Sequence, residues 1–290
     1  MLEQIQIDVA VSRRTECGEG PLWDAAAGAV HWVDIIKGEI LTTAFATGAT
    51  KVLAYPSMVG AAAPRVGGGF VAAVTTGFVG IAADGTVDQR DDCLPDGVRM
   101  NDAKTDPNGV FWAGSCAGDF ADGKGGLWRL DENWQASLVL PGLTQPNGMG
   151  WSPAGDVFYL VETQARRLYR FAFDLATSEL DPTPTLLIDS DGFPEGLPDG
   201  LAVDEDGHLW IAMFAGSAVH EFTPEGELVR SVAIPTLQTT SCMFVGPQRD
   251  ELWVTSAGWQ LSPEDDPEAG STFRVTGLGA TGLPTPPFRG

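Results

Sequence analysis

Apolar and aromatic residues recur along the chain in short runs, each set off by a turn rich in Asp, Asn, Pro or Gly. The clearest are Gly28-Ala29-Val30-His31-Trp32-Val33, Asp106-Pro107-Asn108-Gly109-Val110-Phe111-Trp112-Ala113 and Ser152-Pro153-Ala154-Gly155-Asp156-Val157-Phe158-Tyr159. Asp204-Glu205-Asp206-Gly207-His208-Leu209-Trp210-Ile211 and Glu251-Leu252-Trp253-Val254 repeat the phrase, and Gly67-Gly68-Gly69-Phe70-Val71-Ala72 is a degenerate copy. After most copies a further run alternates apolar with polar residues, as in Arg167-Leu168-Tyr169-Arg170-Phe171-Ala172-Phe173-Asp174 and Ala218-Val219-His220-Glu221-Phe222-Thr223. Strict alternation marks half-buried strands, and no segment carries helical periodicity beyond about two turns.

Between Trp32 and Trp253 the copies recur about every 44 residues, a period that fits one four-stranded propeller blade. The pattern therefore predicts an all-β, six-bladed β-propeller with four-stranded blades around a central channel, as one domain over residues 1–290. A two-sheet sandwich or a tandem of small β domains does not account for six evenly spaced copies. The aromatic run is read as the innermost strand of each blade. The alternating segment 5–11 is expected to pair with the last blade and close the ring, which removes a free edge.

Composition narrows the function. The 290 residues include 39 acidic and 17 basic side chains, for a formal charge of -22. That surplus disfavours nucleic acid, whose phosphates need a basic surface, and an anionic membrane surface for the same reason. No apolar run reaches the roughly 20 residues of a membrane helix. The segment Met1-Leu2-Glu3-Gln4-Ile5-Gln6-Ile7-Asp8 has neither the basic nor the long apolar part of a signal peptide. Cys17, Cys93, Cys116 and Cys242 are widely spaced, which suits reduced thiols in the cytoplasm. The 36 glycines and 20 prolines fit a chain of many turns and short strands. A monomer is expected.

Candidate chemistry sits at one position of the repeat. Eleven residues before the aromatic lie Asn101 (from Trp112), Asn147 (from Phe158), Asp199 (from Trp210), Cys242 (from Trp253) and Gly60 (from Val71). In the first unit the loop is slightly longer and Glu19 takes the place. Asn-Gly and Asp-Gly are ordinary turn dipeptides taken singly. Four oxygen-bearing side chains at one register would instead converge on a single point, where two carboxylates repel unless a cation sits between them. An all-oxygen donor set suits Ca²⁺, Mg²⁺ or Mn²⁺. A structural zinc site does not fit, although a catalytic one can use oxygen ligands.

The phrases Gly18-Glu19-Gly20-Pro21-Leu22-Trp23, Arg99-Met100-Asn101-Asp102, Pro146-Asn147-Gly148 and Pro198-Asp199-Gly200-Leu201 resemble signatures of the regucalcin/gluconolactonase family, also known as senescence marker protein and luciferin-regenerating-enzyme-like proteins. The end, Gly270-Ser271-Thr272-Phe273-Arg274-Val275-Thr276-Gly277-Leu278-Gly279, resembles the family's last strand. The resemblance runs from about residue 16 to the C-terminus. It implies a six-bladed propeller holding one divalent cation, Ca²⁺ foremost with Zn²⁺, Mn²⁺, Mg²⁺ or Fe²⁺ as alternatives, and hydrolysis of a sugar lactone to the aldonic acid. By motif it makes Glu19, Asn147 and Asp199 the metal ligands, Arg99 and Asn101 the substrate contacts and Asp199 the general base. The cation would polarise the lactone carbonyl while Asp199 takes the proton of the attacking water.

Several positions depart from the family pattern. Glu162 stands where relatives usually have Asp, Gly258 where many carry a basic residue, and Phe214-Ala215-Gly216-Ser217-Ala218 replaces a more glycine-rich phrase. Phe214 and Trp259 could make the substrate pocket more apolar, or could simply pack. The segment 115–125 reads either as a lid over the channel or as a surface loop. His31, His208 and His220 read as structural or surface residues, Asp204-Glu205-Asp206-Gly207 as a hairpin turn, and Cys17 and Cys242 as packing residues. Two other functions remain open on the residues alone: a phosphotriesterase-like hydrolase on the same metal propeller, and a non-catalytic calcium-binding propeller.

Overall fold

The recurring aromatic run turns out to be the second strand of each blade, not the innermost. The computed structural model describes residues 4–290, which form six antiparallel sheets arranged as a six-bladed β-propeller. The channel is lined by Gly18–Asp24, Val59–Pro64, Val98–Thr105, Pro146–Trp151, Leu197–Val203 and Thr239–Val245. The aromatic strands Ala29–Asp34, Phe70–Val74, Phe111–Ala117, Val157–Glu162, Leu209–Phe214 and Glu251–Ser256 pair with them from outside. Crowding explains the order. Where six strands converge on one axis, neighbouring backbones approach closely and small residues recur at the points of contact. A Cβ on Gly148 would overlap the Asp199 carbonyl, and one on Gly200 would overlap the Ser241 side chain. Large rings fit where blades diverge.

The apolar core is accordingly divided among the blade-to-blade interfaces. Trp112, Trp151 and Phe158 pack between the third and fourth blades, and Trp210 meets Phe244 edge-on at 5.4 Å between the fifth and sixth. In the third and fifth blades the turn before the aromatic strand serves this packing. Asp106 accepts the backbone N–H groups of Asn108 and Val110 with one oxygen and the Trp112 indole N–H (3.2 Å) with the other. Asp204 does the same for Asp206, His208 and Trp210 (2.9 Å). In these two blades the Asp-rich phrase is thus a structural device that satisfies a buried indole and a tight turn together.

Two departures from a uniform ring occur. In the fourth blade the outer position is shared by the short strands Glu179–Leu180 and Thr185–Ile188, both paired with Arg167–Asp174. In the sixth, Gln6–Val11 pairs with Thr272–Thr276, tying both ends of the chain into one sheet.

The C-terminal tail runs across one end of the channel. Its backbone bonds to Glu205 through Thr281, to the Thr105 hydroxyl through Pro286 (2.6 Å), and to Pro64 and Gly109 through Phe288 and Arg289. Phe288 is fully buried in the core between the second and third blades. The tail therefore straps one mouth, and the site lies at the other. Among the described residues no helix is long and apolar enough to cross a membrane, and the four cysteines are unpaired thiols.

Candidate metal centre

Each innermost strand is broken by a β-bulge just inside the unstrapped mouth. The irregularities fall between Glu19 and Leu22, Val59 and Ala61, Met100 and Ala103, Pro146 and Met149, Pro198 and Leu201, and Thr239 and Ser241. A bulge re-aims side chains and interrupts the in–out alternation of a strand. Gly60, Asn101, Asn147 and Asp199 lie within these bulges and Glu19 opens the first. In the sixth blade the bulged residue is Thr240. Its hydroxyl bonds to the Gly18 carbonyl and to Thr255. Cys242, which the eleven-residue count placed at the sixth ring position, is instead packed in the apolar interface of the fifth and sixth blades, its thiol against the Trp210 carbonyl at 3.3 Å. The count fails because Trp253 sits one position further along its strand than Trp112 or Trp210, so that it pairs with Met243 where they pair with Lys104 and Ala202.

Glu19, Asn101, Asn147 and Asp199 are all buried, and so is Asp102 beside them. Three carboxyls thus share a dry mouth. Burial, then the Asp102 carboxylate, pushes Glu19 up to about 8, although the Gly20 N–H donates to it at 2.9 Å. Burial, then Glu19 and Asp102, raises Asp199 well above the usual carboxylate range. Asp102 is raised by burial, with Lys104 opposing. The Lys104 ammonium reaches across the channel to the Leu201 carbonyl at 2.6 Å. Burial and the same acidic groups push the Cys17 thiol well up, so it is a poor nucleophile.

The two asparagines are in different states. Asn101 is fully engaged: its Oδ1 accepts from Arg99 at 2.9 Å and its Nδ2 donates to the Pro146 carbonyl at 3.1 Å. Asn147 donates from Nδ2 to Thr163, but its buried Oδ1 has no partner. Asp199 Oδ1 is likewise buried and unpaired. Buried acceptors without donors are rare and costly. Here two of them accompany carboxyls that burial and mutual repulsion strain. All of these atoms are hard oxygens, which suits a divalent cation. Glu19, Asn147 and Asp199 are the residues that fit that role. Arg99 uses one nitrogen on Asn101 and on the Met100 carbonyl, and the rest of its fork meets no acceptor among the described residues.

The chain matches the SMP-30/gluconolactonase/LRE-like region model over residues 17–258. It belongs to that family. Rabbit (Oryctolagus cuniculus) regucalcin is 31% identical over the full length of both chains. The pentonolactonase XacC of Haloferax volcanii is 34% identical over 93% of this chain and 94% of its own. The crystal structure of a calcium-binding protein, regucalcin, from Agrobacterium tumefaciens superposes with a TM-score of 0.91 at 29% identity, covering 97% of this chain and 96% of the other.

Against the family pattern, the divergent positions acquire physical roles. Glu162 is buried and accepts the backbone N–H groups of Thr144 (3.0 Å) and Gln145 (2.6 Å), so it fastens the loop that leads into Asn147. At Gly258 a Cβ would come within 2.8 Å of the Thr15 carbonyl, which leaves no room for a basic side chain on this backbone. Trp259 is 48% exposed and Phe214 half-buried, both beside the open mouth. The connection between Phe111–Ala117 and Gly125–Leu130 flanks the same mouth, with Phe120 exposed at φ 56°.

A second acidic cluster behaves differently. Ligand-type atoms of Asp204, His208 and Glu221 lie within 4.8 Å of one another. Both Asp204 oxygens are taken by the turn and the Trp210 indole, and Glu221 is taken by His208 and Arg230. This is an ion-pair network with its acceptors already filled. Replacing His208 by alanine is expected to leave metal stoichiometry unchanged and to cost about 1 kcal/mol or less, because Arg230 still pairs Glu221. Isothermal titration with Mn²⁺ and urea unfolding of the variant check both halves.

Asp102, Lys104 and Thr240 escaped the sequence reading. Asp102 directly follows Asn101, and alternation sends consecutive residues to opposite faces. The bulge lets both serve the channel. A polar pair at a bulge position was the available signal.

Proposed function

We propose that the protein is a divalent-metal-dependent lactonase that opens a sugar lactone to the aldonic acid. The observation that carries this reading is the pair of bare, buried oxygens on Asn147 and Asp199 set among crowded carboxyls. Family membership, and relatives named as a pentonolactonase and as a putative sugar lactone lactonase, support it. Glu19, Asn147 and Asp199 would hold the cation. When bound, it supplies Lewis acidity to the lactone carbonyl and offsets the charge that develops on its oxygen.

The chain's own groups supply the rest. The Asp199 carboxylate takes the proton of the water that attacks the carbonyl carbon and returns it to the ring oxygen that leaves. Arg99 presents a rigid fork of donors to substrate hydroxyls or ring oxygens, and Asn101 fixes that fork by accepting from it. Lys104 offsets the charge of Asp102 within the channel. The C-terminal strap crosses the far end, and the opposite mouth, where Arg99 and Asp199 sit, admits the substrate. The product is an anion, and a chain of net charge -22 favours its departure.

The test is a pH-indicator assay on a panel of aldonolactones, using protein stripped by chelator and re-supplied with single divalent ions. Hydrolysis above the spontaneous rate is expected only with a metal present. Absence of any metal-dependent rate, with metal shown to be bound, would overturn the reading in favour of a binding protein or another ester class.

A further inference from the structure

Asn147 and Asp199 stand on neighbouring blades, and one hydroxyl joins their surroundings. Thr163, at the end of the second strand of the fourth blade, is buried. Its Oγ1 accepts from Asn147 Nδ2 at 3.1 Å and donates to the carbonyl of Pro198, the residue before Asp199, at 2.8 Å. The donor inventory makes these directions obligatory. A hydroxyl has one proton, and the proline carbonyl can only accept, so the proton is committed there. What remains toward Asn147 is a lone pair. An amide turned the other way would set its oxygen against that lone pair. The hydroxyl therefore reads the amide's orientation and holds its oxygen, the only atom of the amide that can bind a cation, on the channel side, where Oδ1 is bare.

We propose that Thr163 is the positioning residue of the metal centre: it fixes the Asn147 amide oxygen toward the cation and couples that ligand to the backbone that carries Asp199. The inference rests on the metal reading above. The resemblance assigned no role to this position, and Thr163 touches neither cation nor substrate. Groups that orient a ligand typically carry about 10–100-fold in metal affinity.

The test uses Thr163→Val, which keeps the branched shape and removes both hydrogen bonds, and Thr163→Ser, which keeps the hydroxyl. Purified chelator-treated proteins are titrated with Mn²⁺, and free ion is counted by electron paramagnetic resonance. Unfolding temperatures are measured on the same metal-free samples. Thr163→Val is expected to lose about 10–100-fold in Mn²⁺ affinity while its metal-free unfolding temperature changes little relative to that loss. Thr163→Ser is expected to stay within about threefold of the parent, a small fraction of that loss. Parent-like affinity in Thr163→Val, or equal losses in both variants, would overturn the proposal. So would a loss matched by a proportionate fall in metal-free stability, which marks a purely structural role. A parent protein that binds no Mn²⁺ would instead overturn the metal reading, and the positioning role with it.

Discussion

Asp199→Ala is expected to lower kcat/KM on the best aldonolactone by about 10³-fold or more and to weaken metal binding in the same protein. Two losses combine at this residue. Removing a general base alone costs about 10²–10⁴ in rate. Removing an anionic ligand also leaves Glu19 and Asn147 to hold the cation without it. Asp199→Asn separates them. It keeps the shape and one neutral oxygen, so it is expected to retain part of the metal affinity while losing the rate. The structural cost should be small, because Asp199 is a strained group in the metal-free chain: burial, Glu19 and Asp102 all oppose its ionisation. Metal-free unfolding temperatures at or above that of the parent are therefore expected for both variants. More than a tenth of parental activity in Asp199→Ala, measured with metal saturating, would remove Asp199 from the reaction.

Much of this architecture was legible in the repeat, and what was not has a specific cause. The turn-plus-aromatic phrase is strong because it is under two constraints at once: a polar turn, in which Asp106 and Asp204 also cap an indole, and a ring that must fill a blade interface. It gave the number of blades and their spacing. It misplaced the channel by one strand, since the true innermost strands, such as Val59–Pro64 with its run of Gly and Ala, lack both alternation and bulk. Asn101, Asn147 and Asp199 were nonetheless directed to the bulges, because each sits eleven residues before an aromatic, and Glu19 joins them through a longer first loop. Cys242 was drawn in by the same count, and Thr240 left out, because Trp253 sits one position further along its strand than Trp112 or Trp210. Asp102 was hidden by alternation, which a bulge suspends. Thr163 carries no motif of its own. Its significance lies in a hydroxyl that meets two residues of adjacent strands, 16 and 35 positions away in sequence, and only packing reveals such a meeting.

Stability of the metal-free protein is expected to fall as pH rises from about 5 to 9, and a divalent cation is expected to cancel that fall. The sign follows from the channel carboxyls. Glu19 titrates near 8 in the folded chain against 4.5 ordinarily, and Asp102 and Asp199 are raised as well. A group whose folded pKa is raised binds its proton more tightly folded than unfolded. Its contribution is complete below the unfolded value and is lost as pH climbs through the folded one. For Glu19 the rise from 4.5 to about 8 puts this loss between those two values, within the range scanned. A cation bound to the same oxygens replaces the protons, so its stabilising effect should be larger at pH 8 than at pH 5.5, where protons compete. Surface carboxylates oppose this only in acid, where Asp24, held down by its bond to His31, loses its contribution as pH falls. General repulsion within a chain of charge -22 also grows with pH, so a control is needed. Glu19→Gln removes one of the titrating channel groups and leaves the remaining surface charge in place. Unfolding temperatures are measured from pH 5 to 9 on chelated and Mn²⁺-saturated samples of both proteins. The chelated parent should lose stability steeply, the chelated Glu19→Gln variant less so, and the metal-saturated parent least. Equal slopes in the chelated parent and the variant would assign the fall to surface repulsion and sink the idea that the channel carboxyls govern it.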